Sequence, residues 1–289
     1  MLNDINSVNH IGLAVHDLDA TVSFYEDLGF ILTPLSMHKG SMNPGEPEIP
    51  YGTGNRCAIF PSNYLEIVAH VDKDKYDFGM IEYLSRFEGA HIICFGCGNA
   101  EIVHDRVTKE GFTTSGVIPL ERKVDTPEGE RTAKFDCVHF PRDATPEGLI
   151  QAAHHRTPEY IHQDRYLGHP NGVVALSEVF LCVEDPDEFE ARYVKLTGRK
   201  ADRVGVKRVI AFPLVSKVSI VAADDIQRIL PNVEPPDLPY IAGYSMATGR
   251  LDSMRERLVE RGIQFDENDG TLVVPANAAF GAAIVFEAA

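Results

Sequence analysis

The sequence contains no tryptophan, and its 27 lysines and arginines are outnumbered by 43 aspartates and glutamates. The net charge of −16 argues against a nucleic-acid partner, because an acidic surface repels phosphate backbones. No apolar run reaches the roughly 20 residues of a membrane-spanning helix, so no membrane partner is expected either. The absence of tryptophan weakens the case for a protein that only binds a small molecule in an aromatic-lined pocket.

Cysteines are also few, and their number is odd. The five are Cys57, Cys94, Cys97, Cys137 and Cys182. A sparse, odd set indicates reduced thiols rather than a disulfide framework. The first residues, MLNDINSVNH, lack the basic start and apolar core of a secretory signal. Both observations predict a cytoplasmic location.

What the sequence does contain is a repeated pattern of short strands and helices. In NHIGLAVHDLDATVSFYEDLGF, residues 9–30, apolar residues first alternate as in a strand. They then recur at helical spacing until Gly29 ends the helix. A strand over 30–32 and the stretches 55–61 (NRCAIFP) and 63–71 (NYLEIVAHV) complete a β-α-β-β-β unit.

The unit recurs, with first strands that begin near residues 90, 175 and 241. The helices of three copies end in the similar sequences DLGF, KEGF and ERGI. A single unit has an open sheet that cannot bury both faces, so the units must pair. We therefore predict an α+β fold in which four βαβββ modules pair into two curved mixed-sheet half-barrels, with the helices outside.

This pairing divides the chain into two predicted domains. Residues 1–160 hold modules one and two with the expected active site, and 161–172 form a linker. Residues 173–289 hold modules three and four, which are expected to be degenerate and to bind no metal. The Gly- and Pro-rich segment 36–54 interrupts module one, and a loop of this length is often a lid.

The quoted stretch 9–30 and NRCAIFPSNYLEIVAH resemble the vicinal oxygen chelate superfamily, which includes glyoxalase I, bleomycin- and fosfomycin-resistance proteins and extradiol dioxygenases. The run GTGNRCAIFPSNYLEIVA, followed later by GLIQAAH, is most similar to the glyoxalase-like domain branch. Module one matches strongly, module two moderately, and modules three and four only as degenerate copies. The resemblance implies the fold for the whole chain but the chemistry for the first half alone.

In that superfamily each module offers up to two metal ligands, one near the start of its first strand and one on its last strand. Carried over by position, the implied ligands are His10, Glu66, His91 and Gln151. Imidazole and carboxylate together suit one divalent ion, namely Fe, Mn, Ni, Co or Zn. A glutamine carbonyl is a poor fourth ligand, so its place is open to water, to substrate or to His155 on the same strand face.

Other side chains near the expected metal are candidates for binding and acid–base chemistry. The catalytic candidates are Glu66, Tyr64 and His139, and the substrate-binding candidates are Asn55, Arg56 and His155. An ordinary surface arginine explains Arg56 equally well, and a hydrogen-bonded strand histidine explains His139. Arg122 and Lys123 lie in a polar stretch and are expected to be solvated.

Modules three and four lack the ligand set. At the position of the first-strand histidine they carry Glu178 and Gly243, and at that of the last-strand glutamate they carry Ser219 and Glu287. This departs from the extradiol dioxygenases with two pairs of modules, whose iron lies in the second half. We expect the second half to be structural.

The resemblance implies a metal-dependent glyoxalase-type enzyme, an isomerase, epimerase or lyase. It would act on a small oxygen-chelating substrate through an enediolate or oxyanion. One alternative is an Fe(II) extradiol-type ring-cleaving dioxygenase that uses His10, His91 and Glu66 as its facial triad. Another is a metal-free protein that binds a small molecule and confers resistance. The only partner expected is the small-molecule substrate, and a homodimer is left open.

Overall fold

The computed structural model describes residues 2–40 and 47–289. Module one consists of β1 (Ile5–Val15), α1 (Leu18–Asp27), β2 (Ser36–Gly40), β3 (Ile49–Ile59) and β4 (Tyr64–His70). Helix α1 begins where the Asp17 side chain accepts a hydrogen bond from the backbone N–H of Ala20. The chain leaves the helix at Gly29, whose φ of 88° lies in the left-handed region that favours glycine.

The other modules repeat this order of elements. Module two has β5 (Gly89–Cys97), α3 (Ala100–Lys109), β6 (Val117–Thr126), β7 (Gly129–His139) and β8 (Leu149–His155), preceded by the short helix α2 (Met80–Arg86). Module three has β9 (Val173–Val183), α4 (Pro186–Thr197), β10 (Asp202–Val204), β11 (Lys207–Ala211) and β12 (Lys217–Ala222). Module four has β13 (Tyr240–Thr248), α5 (Leu251–Glu260), β14 (Asp266–Asn268), β15 (Thr271–Val274) and β16 (Ala283–Ala288). The predicted α+β fold of four βαβββ modules is confirmed.

The second strand of module one is not where the sequence predicts it. Residues 30–32 form only an isolated bridge from Leu32 to Ala58, because Pro34 has no backbone N–H to continue a ladder. The strand lies instead at β2, inside the segment 36–54 that was predicted to be a lid. The two ends of this segment form an antiparallel hairpin in which β2 pairs with β3. The central part of the predicted lid, 41–46, lies outside the described residues.

Each half of the molecule is a curved sheet of eight strands. The first runs β6-β7-β8-β5-β1-β4-β3-β2 and the second β14-β15-β16-β13-β9-β12-β11-β10. Within each half the first strands of two modules pair antiparallel at the centre, β1 with β5 and β9 with β13. The two sheets join through one residue pair, Ile241 with Ala90, and neither sheet closes into a barrel.

One large apolar core serves both halves. It contains the convex faces of both sheets and the buried sides of α1, α3, α4 and α5. Polar contacts inside this layer also cross between halves: the Asn63 side chain donates to the backbone carbonyl of Leu176 and accepts from its N–H. The domain division at 161–172 therefore stays a prediction, since the halves share their interior. Among the described residues, no helix is long and apolar enough to span a membrane.

A buried hydrogen bond between the hydroxyls of Tyr25, on α1, and Tyr244, on β13, tests this shared interior. Each single Tyr→Phe change leaves the other hydroxyl buried without a partner, so we expect each to lower the free energy of unfolding by about 1–3 kcal/mol. The double variant removes both hydroxyls and is expected to cost less than the sum of the two. Urea denaturation measures all four proteins, and strictly additive losses would contradict the coupling between the halves.

Candidate active site

Strand pairing gathers the polar side chains of the first half on the concave face of its sheet. Residues that pair directly across neighbouring strands point to the same side of a sheet. The pairs that matter here are His10 with Tyr64, Gly12 with Glu66, Cys57 with Glu66, His10 with Cys94, Cys94 with Gln151, and Gln151 with His139. Most of the predicted site residues therefore share one concave surface.

Glu66 is the centre of this surface. Its side chain is buried and accepts a hydrogen bond from the Asn55 amide. The His10 Nε2 lies 3.8 Å from one carboxylate oxygen, and the His38 Nε2 lies 3.8 Å from the other. Burial raises the pKa of Glu66, against the opposing effects of the Asn55 hydrogen bond and the charge of Arg122. In the part of the chain that the structure describes, Glu66 forms no ion pair with a lysine or arginine.

His10 presents an unprotonated nitrogen to this carboxylate. Its ring stacks on Tyr64 at 4.3 Å between centroids, and its Nδ1 lies 2.8 Å from the Asn9 side-chain oxygen. An amide oxygen can only accept, so Nδ1 carries the proton. Burial holds the pKa of His10 well below its usual value, helped by the neighbouring His155 and by the charge of Arg122, so the ring is neutral. A lone pair thus faces Glu66.

His38 is a site residue that the sequence did not reveal. It lies at a bulge in β2, between Met37 and Lys39, and its Nδ1 is 3.0 Å from the Thr53 hydroxyl. Its Nε2 is buried and has no hydrogen-bond partner within residues 2–40 and 47–289. Burial lowers the pKa of His38 to about 3. The run SMHKG has no apolar alternation, so nothing in it predicts a strand that carries a buried ligand.

Arg122, expected to be solvated, is half-buried. Its charge lowers the pKa of Tyr64 and Glu66, opposing their burial, and adds to burial in lowering the pKa of His10 and His38. These groups lie on three different strands, so the field of Arg122 reaches the whole cluster.

His91 does not stand at the position equivalent to His10. His10 pairs with Tyr64, which lies two residues before Glu66. In module two, the residue two before Gln151 is Leu149, and its partner on β5 is Ile92 rather than His91. The predicted alignment is wrong by one residue because β5 has a bulge at His91, between its pairings at residues 90 and 92.

The contacts of His91 are those of a buried structural residue. Its ring stacks on Phe87 at 4.1 Å and lies 5.1 Å from Tyr83, and its Nε2 is 2.9 Å from the Phe87 carbonyl oxygen. Burial lowers its pKa to about 4. The residue of β5 that pairs with His10 is Cys94, three positions and so about 10 Å further along the strand.

The remaining candidates of module two lie on the concave face. Gln151 interacts with the Cys94 thiol, and His139 is half-buried with an Nε2 that has no described hydrogen-bond partner. The His155 ring lies 6.3 Å from that of Tyr64, and burial lowers its pKa to about 3. A cleft of about 200 Å³, lined by Asn9, Ala153, His155 and His162 among others, opens beside these residues.

Asn55 and Arg56 separate, because neighbouring strand residues point to opposite faces. Asn55 faces the site and bonds Glu66. The Arg56 Nε donates to the Thr33 carbonyl at 2.7 Å, and its guanidinium lies 3.4 Å from a Glu26 carboxylate oxygen. The structure therefore favours the surface explanation of Arg56 over a role in substrate binding.

Module three offers an internal comparison. The register confirms that Glu178 occupies the place of His10 and Ser219 that of Glu66, since Glu178 pairs with Lys217 and Ser219 with Phe180. Glu178 is buried like Glu66, but its oxygens lie 2.9 Å from the ammonium groups of both Lys207 and Lys217. The buried Glu178 carboxylate is thus compensated by two lysine side chains of the chain itself.

The donors around Glu66 match the chemistry of a divalent metal site, although they are not closed around an ion. Among the described residues, no group of three or more His, Cys, Asp or Glu side chains is arranged tightly enough to hold a metal. Donors that share an ion at about 2.1 Å lie about 3.0–3.4 Å apart. The 3.8 Å separations of His10 and His38 from Glu66 are within 1 Å of that spacing. The orphaned His38 Nε2 and the lone pair of His10 fit such an ion.

Comparison with known proteins agrees with this architecture. The family model described as "Glyoxalase-like domain" matches residues 8–197. No curated protein matches the chain in sequence. A hypothetical protein from Staphylococcus aureus aligns over 99% of this chain and 100% of its own, with 12% identity and a TM-score of 0.64.

Two enzymes have similar folds. A variant of 4-hydroxymandelate synthase from Streptomyces coelicolor aligns over 99% of this chain and 94% of its own, with 12% identity and a TM-score of 0.58. A fusion of a xylose isomerase-like TIM barrel with 4-hydroxyphenylpyruvate dioxygenase aligns over 100% of this chain and 50% of its own, with 13% identity and a TM-score of 0.57. At such identities the likeness shows the fold alone. The family match and the fold together confirm the resemblance to the vicinal oxygen chelate superfamily.

The buried, neutral His91 predicts a specific loss of stability in acid. Its pKa of about 4 lies below its ordinary value of 6.5, so the unfolded chain takes up the proton first as pH falls. The stabilisation is complete above pH 6.5 and is lost down to about pH 4, amounting to about 3 kcal/mol. Between pH 6.5 and 4, the free energy of unfolding of a His91→Phe variant should therefore fall by about 3 kcal/mol less than that of the wild type. Equal losses in both proteins, measured by urea denaturation, would contradict the assignment.

Proposed function

Because the chain belongs to the glyoxalase-like domain family, we propose that it is a metal-dependent enzyme that moves a proton on a small substrate with two neighbouring oxygens. The reaction would be an isomerisation, an epimerisation or an elimination of the lyase type. The concave face of the first half, centred on Glu66, would be its active site.

The burial of Glu66 without a lysine or arginine partner is the observation that carries this proposal. A buried carboxylate is costly unless a cation or several hydrogen bonds compensate it. Two other buried carboxylates of the chain follow this rule: Glu178 has two lysines, and Glu147 has Arg192 at 2.6 Å. Glu66 has one amide donor and two neutral imidazoles instead. A divalent ion would supply the missing positive charge.

The residues that would hold the ion are His10, Glu66 and His38, in place of the predicted set that included His91 and Gln151. Imidazole and carboxylate donors accept Fe, Mn, Ni, Co or Zn. The hydrogen bond from His10 Nδ1 to Asn9 fixes the ring and its tautomer, as in the outer shell of metal sites. When bound, the ion would act as a Lewis acid toward the chelating oxygens of the substrate.

The chain's own groups would move the proton. Glu66 is the proposed base, because it is the buried carboxylate at the centre of the concave face. Burial also raises the pKa of Tyr64 well above its usual value, which keeps the phenol protonated beside the His10 ring as a donor to a developing oxyanion. His139 and His155 border the same face and would serve the return of the proton or the binding of substrate.

A second candidate function rests on the same donors. Two histidines and one carboxylate form the facial triad of non-haem Fe(II) oxygenases. The triad predicted from the sequence relied on His91, but His38 supplies a second imidazole beside Glu66. Ring cleavage of a catechol with dioxygen is therefore the alternative reaction for this site.

Metal binding is the first test. Untagged protein is dialysed in turn against Mn, Fe, Co, Ni and Zn, and bound metal is measured by elemental mass spectrometry. We expect about one ion per chain in the wild type and at least about a tenfold loss of affinity in His10→Ala, Glu66→Gln and His38→Ala, because each removes a direct ligand. His91→Phe, a buried histidine substitution outside the set, is the matched control and should retain the metal.

The outcomes separate the candidate functions. No metal under any condition would overturn both enzymes and leave a metal-free binding protein. With metal bound, solvent deuterium incorporated into α-hydroxyketones, followed by NMR, would support proton transfer by Glu66. Oxygen consumption with catechols, and no deuterium exchange, would support the dioxygenase instead.

A further inference from the structure

We propose that Arg122 binds an oxyanion of the substrate, so that the substrate of this site is a small carboxylate or phosphate rather than a neutral ketone or catechol. The inference rests on the proposed active site, and it adds the substrate class and the residue that selects it.

The position of Arg122 follows from the β6–β7 hairpin. Leu120, two residues earlier on β6, packs against the concave-face cluster of Cys94, Cys137 and Ala153. Residues two apart on a strand share a face, so Arg122 extends the same concave surface. Lys123 points the other way, into solvent, where it forms an exposed ion pair with Glu130.

Arg122 differs from the other partly buried arginines in having no partner among residues 2–40 and 47–289. Arg86, Arg106 and Arg192 each bind a carboxylate and at least one backbone carbonyl. Arg122 is half-buried, and among the described residues it makes no hydrogen bond or ion pair. A guanidinium carries five N–H donors in a planar fork that matches a carboxylate or phosphate edge. Those donors are available to a ligand.

The surrounding charge makes such an arginine necessary for an anionic substrate. The chain has a net charge of −16, and the site itself contains the Glu66 carboxylate. An anion would be repelled from this face without a local cation. Arg122 is the arginine whose charge reaches Glu66, His10, His38 and Tyr64 together. An oxyanion bound by it would lie beside the proposed metal donors, where a neighbouring oxygen could chelate.

Calorimetric titration of the full chain with oxalate, and separately with inorganic phosphate, tests the proposal. Each anion is titrated into metal-loaded protein freed of excess metal, and into metal-free protein. Arg122→Gln is expected to weaken binding of the preferred anion by about tenfold or more, since charged hydrogen bonds contribute that much. Arg122→Lys should recover part of the loss, because an ammonium supplies charge without the fork. The matched control Lys123→Gln should bind like the wild type.

Metal content is measured on every variant, so the two proposals fail separately. Anion binding that depends on Arg122, in a chain that takes up none of the five metals on dialysis, supports the role of Arg122 and overturns the metal-dependent function. Equal affinity in Arg122→Gln and the wild type, or no binding of either anion by the wild type, overturns the role of Arg122 whatever the metal content. Preference for oxalate identifies the oxyanion as a carboxylate, and preference for phosphate identifies it as a phosphate.

Discussion

The burial of the Glu66 carboxylate is the constraint around which the concave face is arranged. A charge removed from water must be compensated, and the nearest groups compensate it only in part: Asn55 donates one hydrogen bond, while His10 and His38 offer neutral nitrogens. The supports of these rings, Asn9 and Thr53, hold both Nε2 atoms toward the carboxylate rather than toward other acceptors. The proposed metal ion would supply the positive charge that these neighbours lack.

The two halves of the chain meet the same constraint in opposite ways. In the second half, the ammonium groups of Lys207 and Lys217 compensate the charge of Glu178. In the first half, the corresponding place of Lys217 is taken by Tyr64, whose ring stacks on His10 and brings no charge. The two faces therefore differ in whether the protein itself supplies a cation to the buried carboxylate.

The sequence predicts the local parts of this structure well and the long-range parts poorly. Strand alternation and helical spacing repeat in every module, so the fold and the pair His10 and Glu66 could be found from short stretches. His91 was misassigned because a bulge shifts the register of β5 by one residue, and a bulge leaves no mark in the apolar pattern. His38 and Arg122 reach the site from hairpins that are placed by the pairings of β1 with β4 and of β5 with β8, which join residues more than 50 positions apart.

Because the apolar layer between the sheets is common to both halves, neither half has a complete surface of its own. The family match ends at residue 197, where α4 ends, but that point marks sequence likeness and not a folding unit. A chain cut there would lose β12 and β13, the two neighbours of β9, and would uncover the apolar side of α1. Unpaired strands beside an apolar face promote edge-to-edge aggregation. The second half thus covers the apolar side of the first half and blocks this route to self-association.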